Sequence, residues 1–254
     1  MIQSFTKDNL TVHIYSTRDE LGRAAANQAG DQIRKLLQKQ ESLNIIFAAA
    51  PSQNEFLEHL TNREDIEWNR INAFHMDEYI GLSGSAPQGF GNFLKDRIFG
   101  KKPFRSVNYL NGQCESQKLE CTRYGQLLAA NPVDIVCMGI GENGHIAFND
   151  PHVADFNDMA SVKVVELDSQ CRQQQVNDGC FESIHQVPTH AFTLTIPSLM
   201  RAKHVYCMVP AITKAQAVAN TIGQAVSERY PSTILRTHKS ATLYLDSESA
   251  RLLT

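Results

Sequence analysis

Short apolar runs alternate with segments of helical period along most of this chain, and that alternation leaves few folds open. The clearest run is Val133-Asp134-Ile135-Val136-Cys137-Met138-Gly139. It is too short for a buried helix and too continuous for a half-exposed strand, so it reads as a strand covered on both faces. Residues 43–49 form a second such run, and 11–15, 71–75, 162–167, 191–195, 204–209 and 241–245 read as further strands. Between the first two strands, Leu21, Ala25, Ala29, Ile33 and Leu37 recur every four residues and draw one apolar stripe along a helix. Thr17 with Glu20 forms a capping box at its start, and Ser52 with Glu55 forms another ahead of Phe56, Leu57 and Leu60. Helices are also expected over 89–98, 116–130 and 214–222. The pattern predicts an α/β fold, a single domain over residues 1–254, built on a mainly parallel, Rossmann-like sheet with helices on both faces. Ligands of such sheets collect beyond the carboxyl ends of the strands, so chemistry is expected just after each strand.

Composition narrows the partners. Hydrophobic residues make up 42% and charged residues 20% of the 254, enough apolar side chains for a large buried core. The net charge of -3 comes from interspersed signs, with no basic stripe for nucleic acid, while a few local cations can still hold a small anion. No segment approaches the roughly 18 apolar residues of a membrane span, and the first eight residues lack the apolar run of a signal peptide. Six cysteines without a Cys-x-x-Cys pair fit reduced thiols in a cytoplasmic protein rather than a disulfide frame or a metal knuckle.

Two segments after strands concentrate polar chemistry. Phe74-His75-Met76-Asp77-Glu78-Tyr79-Ile80-Gly81-Leu82 places adjacent carboxylates at a strand end, one for a cleft and one for a structural hydrogen bond. A desolvated cleft carboxylate has a raised pKa and can serve as a general base; an acidic turn would read the same way. Gly139-Ile140-Gly141-Glu142-Asn143-Gly144-His145-Ile146-Ala147-Phe148-Asn149-Asp150-Pro151 sets His145 in a glycine loop between Asn143 and Asp150. Its Gly-x-Gly-x-x-Gly spacing does not open a helix, which argues against a dinucleotide site. A histidine oriented by one polar neighbour can move protons through its other nitrogen.

Both segments resemble the signatures of the glucosamine-6-phosphate deaminase (isomerase) family, and Gln186-Val187-Pro188-Thr189-His190-Ala191, Lys214-Ala215-Gln216-Ala217-Val218 and Ser232-Thr233-Ile234-Leu235 resemble it in order and spacing. The resemblance implies a catalytic group of Asp77, Asn143, His145 and Asp150. It further implies that Ser52, Gln53, Glu78, Arg172 and Lys214 bind an amino-sugar phosphate, with Arg172 and Lys214 on the phosphate and no metal or redox cofactor. It leaves monomer and homo-oligomer open. The related 6-phosphogluconolactonases share the Gly-x-x-Gly-His loop but not the Ala-Phe-Asn-acid-Pro that follows here. Three positions depart from the family pattern. Ala49-Ala50-Pro51-Ser52-Gln53-Asn54-Glu55 replaces a glycine-rich loop, Asn143 stands where some members have Asp, and Asp150 where many have Glu. The altered loop keeps galactosamine 6-phosphate in view beside glucosamine 6-phosphate as substrate.

Overall fold

The computed structural model describes residues 1–253. Strands β1 (Gln3–Lys7), β2 (Leu10–Tyr15), β3 (Leu43–Phe47), β4 (Ile71–His75), β6 (Ser106–Asn108), β7 (Ile135–Met138), β10 (His204–Val209) and β11 (Ala241–Asp246) form one sheet in the order β1-β2-β11-β10-β7-β3-β4-β6. All its neighbours are parallel except the β1–β2 hairpin at one edge. Strands β5 (Asp77–Tyr79), β8 (Val162–Glu166) and β9 (His190–Leu194) form a second, antiparallel sheet in the order β5-β9-β8. The segments at 162–167 and 191–195 are therefore strands, but not strands of the parallel sheet. In β8 only Val162 and Val165 are buried, a pattern unsuited to a strand covered on both faces.

Alternation along the central strands divides the core into two layers. Ile45, Phe47, Ile135 and Cys137 pack with α1 (Arg18–Leu37), α2 (Asn54–Thr61) and α3 (Phe90–Leu94), which runs on into a π-helical turn. Ile46, Val136 and Met138 pack on the opposite face with α4 (Gln117–Ala130), α6 (Ile196–Met200) and α7 (Ala215–Gly223). A remaining helix, α5 (Ser169–Asn177), lies beside the second sheet's strands in sequence.

Local signals explain the helix starts. The Thr17 hydroxyl accepts from Glu20 N at 3.2 Å, and Glu20 reaches back to the amide of Ser16, one residue before the position a capping box would use. The second box does not form. Pro51 opens a 3-10 turn over Pro51–Gln53, so Ser52 lies inside the turn and α2 begins without a side-chain cap. Glu55 is instead the ion-pair partner of Arg18.

The strand order fixes where a ligand can bind. From β3 the chain moves outward to β4 and β6, whereas from β7 it moves the other way to β10 and β11. The carboxyl ends of β3 and β7 thus flank the switch point, the usual crevice of such a sheet. Next to it, the end of β4 is pinned from below. The Tyr124 hydroxyl of α4 accepts from His75 N at 3.1 Å and lies 2.9 Å from His75 O and 3.1 Å from Asn108 O. His75 itself is fully buried, and desolvation holds its imidazole neutral, with a pKa down to about 3, while Nε2 accepts from Leu110 N. Tyr124→Phe leaves the His75 amide without a partner in a dry layer, and should cost about 1–3 kcal/mol of stability. Chemical denaturation checks this; a midpoint equal to the parent's would contradict it.

Candidate active site

Loops following β3, β4, β7 and β10 converge on one crevice, whose lining includes Arg18, Ser52, Asp77, His145, Gln174 and Lys214. Gly141 lets the β7 loop pass close to the histidine, because a Cβ there would stand 2.2 Å from the imidazole. The turn that follows uses Gly144 at φ +88° and Ala147 at φ +49°, which aims His145 back into the crevice.

Asp77 opens β5, two residues past the end of β4. Its side chain is 6% exposed, and burial, reinforced by the neighbouring Glu78 charge, raises its pKa well above the carboxylate range. Opposite it in β9 is Thr193. The Thr193 hydroxyl accepts from Phe148 N at 3.1 Å and Asn149 Nδ2 at 3.3 Å, tying the Asp77 strand to the histidine loop. Glu78 points the other way, as period two requires. Its carboxylate accepts from the amides of Tyr79, Phe90 and Gly91 and borders a different cavity, so it shapes the start of α3 and does not line the crevice.

His145 and Asp150 meet as a buried pair, with Nδ1 2.8 Å from Oδ1. The contact is close, but the ring N–H is not aligned on the oxygen, and Asp150 Oδ2 has no hydrogen-bond partner. Burial pushes the Asp150 carboxyl up, yet His145 and Asn143 outweigh it and hold the group below its ordinary value. Asn143 donates to Asp150 at 2.9 Å and to Asp168 at 3.2 Å, and accepts from the backbone amide of His145. It therefore steadies the loop and the carboxylate, and does not hold the imidazole ring directly.

Cations around the crevice differ from the expected set. Lys214 is 6% exposed with no carboxylate within ion-pair distance among the described residues, and burial lowers its pKa despite the Asp178 and Glu142 charges. It ends a turn that begins beyond Ala211, whose unusual φ of +85° is held by hydrogen bonds from its amide to the Asp246 carboxylate. Arg172 turns away. Its Nη2 donates to Ile184 O at 2.6 Å and Val187 O at 2.9 Å, and it borders a separate cavity with His185 and His190. On α5 the residues facing the crevice are Gln174 and Gln175, with Asp178 just beyond; with Cys171 they follow the i, i+3, i+4, i+7 spacing of one helix face, which Arg172 does not share. The second cation is Arg18, read from the sequence only as part of a helix start. Its guanidinium clasps Glu55 through Nε and Nη2 and donates to Pro51 O, leaving Nη1 at the crevice rim. Gln53 lies beneath the site, 1% exposed, and donates to the Ser52 hydroxyl and Met208 O; it does not line the crevice, whereas Ser52 does.

Known proteins place this architecture. The family model of glucosamine-6-phosphate isomerases/6-phosphogluconolactonase matches residues 16–244. A glucosamine-6-phosphate deaminase of Listeria monocytogenes is 34% identical over 242 residues, covering 95% of this chain and all of that protein. One from Bacillus thuringiensis is 36% identical over 190 residues, 75% of this chain and 71% of that one. Among solved structures, a monomeric glucosamine-6-phosphate deaminase superposes with a TM-score of 0.86 at 29% identity, covering 95% and 99% of the two chains. A 6-phosphogluconolactonase from Thermotoga maritima superposes at 0.75 with 17% identity over 93% and 99%, a likeness of fold. Matched over most of its length by model, relative and structure alike, the chain belongs to the glucosamine-6-phosphate isomerase/6-phosphogluconolactonase family.

Proposed function

We propose that this protein isomerises and deaminates glucosamine 6-phosphate, yielding fructose 6-phosphate and ammonium. The observation that carries the reading is a desolvated carboxyl with a raised pKa, Asp77, sharing one crevice with His145 of the His145–Asp150 pair and an unpaired buried lysine. The deaminase relatives above 30% identity support the substrate, and their likeness covers the whole site region.

In this reading His145 opens the sugar ring, moving the anomeric hydroxyl proton to the ring oxygen, while Asp150 stabilises the transient imidazolium. Asp77 removes the C2 proton of the open-chain aldose and delivers a proton to C1. The amino group becomes an imine at C2, water adds there, the C–N bond breaks, and ammonium leaves the ketose phosphate. A pKa raised by burial and the Glu78 charge makes Asp77 a stronger base than an ordinary aspartate, which suits it to this work. Lys214 holds the phosphate dianion, with Arg18 and Ser52 at the rim. Glu78, Arg172 and Gln53 serve by fixing backbone. Among the described residues no helix is long and apolar enough to cross a membrane, and the six cysteines are free thiols, which supports a cytoplasmic setting as part of the proposal.

The parent should release ammonium from glucosamine 6-phosphate, and Asp77→Asn should lower kcat by about a hundredfold to ten-thousandfold. Lys214→Met should act mainly on KM. Absence of ammonium release by the parent would overturn the reading. Asp77→Asn should also stabilise the fold at neutral pH. A carboxyl whose folded pKa is raised keeps its proton in the native state while the unfolded chain ionises, so stability falls as pH rises through the folded value. The amide carries no such penalty. Its advantage in chemical denaturation should be present at pH 7 and vanish below about pH 4; a variant less stable than the parent at pH 7 would contradict the buried-carboxyl account.

A further inference from the structure

Sequence spacing gives no metal-ligand motif, yet the fold gathers three unlike donors behind the catalytic histidine. His145, Asp150 and Cys171 bring a ring nitrogen, a carboxylate oxygen and a sulfur within 4.8 Å of one another, and all three residues are buried. We propose that these residues form an inhibitory site for a thiophilic divalent cation of the Zn2+ class, reached from the crevice.

The polar atoms there are under-used. His145 Nδ1 lacks an aligned hydrogen bond, and Asp150 Oδ2 lacks any partner. Asn143 already occupies Oδ1, which leaves Oδ2 free to ligate. A mixed nitrogen, oxygen and sulfur set suits Zn2+ or Cd2+, whereas Mg2+ and Ca2+ prefer oxygen alone. Tetrahedral zinc holds its ligand atoms about 3.5 Å apart, so a side-chain adjustment of about 1 Å closes the set. Of the three, only His145 lines the crevice, and water entering past it can fill the fourth position, as in zinc sites that keep three protein ligands.

Cys171 sits at the start of α5, its amide held by the Asp168 carboxylate at 2.6 Å. Its side chain is 1% exposed and lies beside the Asp150 carboxylate. A thiol ligates as the thiolate, so binding releases its proton to solvent. The consequence for catalysis is direct. A cation on Nδ1 leaves Nε2 carrying the ring's proton beside a positive charge, so the imidazole can no longer accept another.

The inference uses the proposed deaminase reaction only for its activity readout. Cys114, Cys121 and Cys180 are partly exposed and would bind soft metals on their own, so they are first replaced together by serine. That triple variant should bind one equivalent of Cd2+ with an ultraviolet thiolate-to-metal charge-transfer band, and adding Cys171→Ser should abolish the band. In the ammonium assay, Cys171→Ser should raise the half-inhibitory Zn2+ concentration at least about tenfold, the low end of what losing even an outer partner costs a metal site. No band in the triple variant overturns the proposal, as does unchanged zinc sensitivity after Cys171→Ser. Should Cys171→Ser not fold, the presence or absence of the band in the triple variant still decides. A protein that binds Cd2+ this way but releases no ammonium would keep the metal site and sink the deaminase reading instead.

Discussion

The Thr193 hydroxyl stands between the Asp77 strand and the His145 loop, the two halves of the proposed catalytic group. On its own strand it lies opposite Asp77, and across the gap it accepts from the amide of Phe148 and the side chain of Asn149 in the histidine loop. Asn149 Nδ2 is shared further with Ile146 O and Leu194 O, so a single buried polar knot sets the loop against the small sheet. Its members are buried and joined through Asn149 Nδ2, which ties the loop to the small sheet. The geometry relating Asp77 to His145 is inherited from it. The parallel sheet supplies the crevice at its switch point; the small antiparallel sheet supplies the base.

Within that geometry, environment separates two carboxyl groups of the same crystallising chemistry into different roles. Asp77 has burial and the Glu78 charge, both of which favour its neutral form. Asp150 is as deeply buried, but His145 and Asn143 favour its anion. In the proposed reaction, carboxyls pushed apart in this way divide the work of proton transfer: one trades protons with the substrate and the other stays charged to support a histidine. Lys214 adds a buried cation on the far side, with α5 presenting glutamines toward the same space.

Much of this was legible in the residues. The period-four stripe of α1 and the continuous run of β7 are plain in the residues, the rule that chemistry follows strand ends points to Asp77 and His145, and Lys214 rests on the family resemblance. What stayed hidden depended on contacts between distant segments or on competition between local signals. Pro51 began the turn ahead of Ser52 and removed the second capping box. Period two along Asp77–Tyr79 already implies that Glu78 faces away, though only the amides of α3 show what receives it. Arg172 rests on the family resemblance of its segment, while the helical spacing of Cys171, Gln174, Gln175 and Asp178 marks the face toward the crevice. The departure of the segments at 162–167 and 191–195 into a separate sheet has no local signature beyond the weak burial of β8. Arg18 gave no signal of its own, because its value lies in reaching Glu55 and Pro51, more than thirty positions away.

Burial and the neighbouring Glu78 charge together raise the Asp77 pKa and so strengthen it as a base. Difference infrared titration of the parent against Asp77→Asn isolates that one carboxyl and reads its protonation directly. The account predicts that the Asp77 carboxyl band persists above the pH at which ordinary aspartates ionise. A band that disappears near pH 4, with the other aspartates, would contradict it.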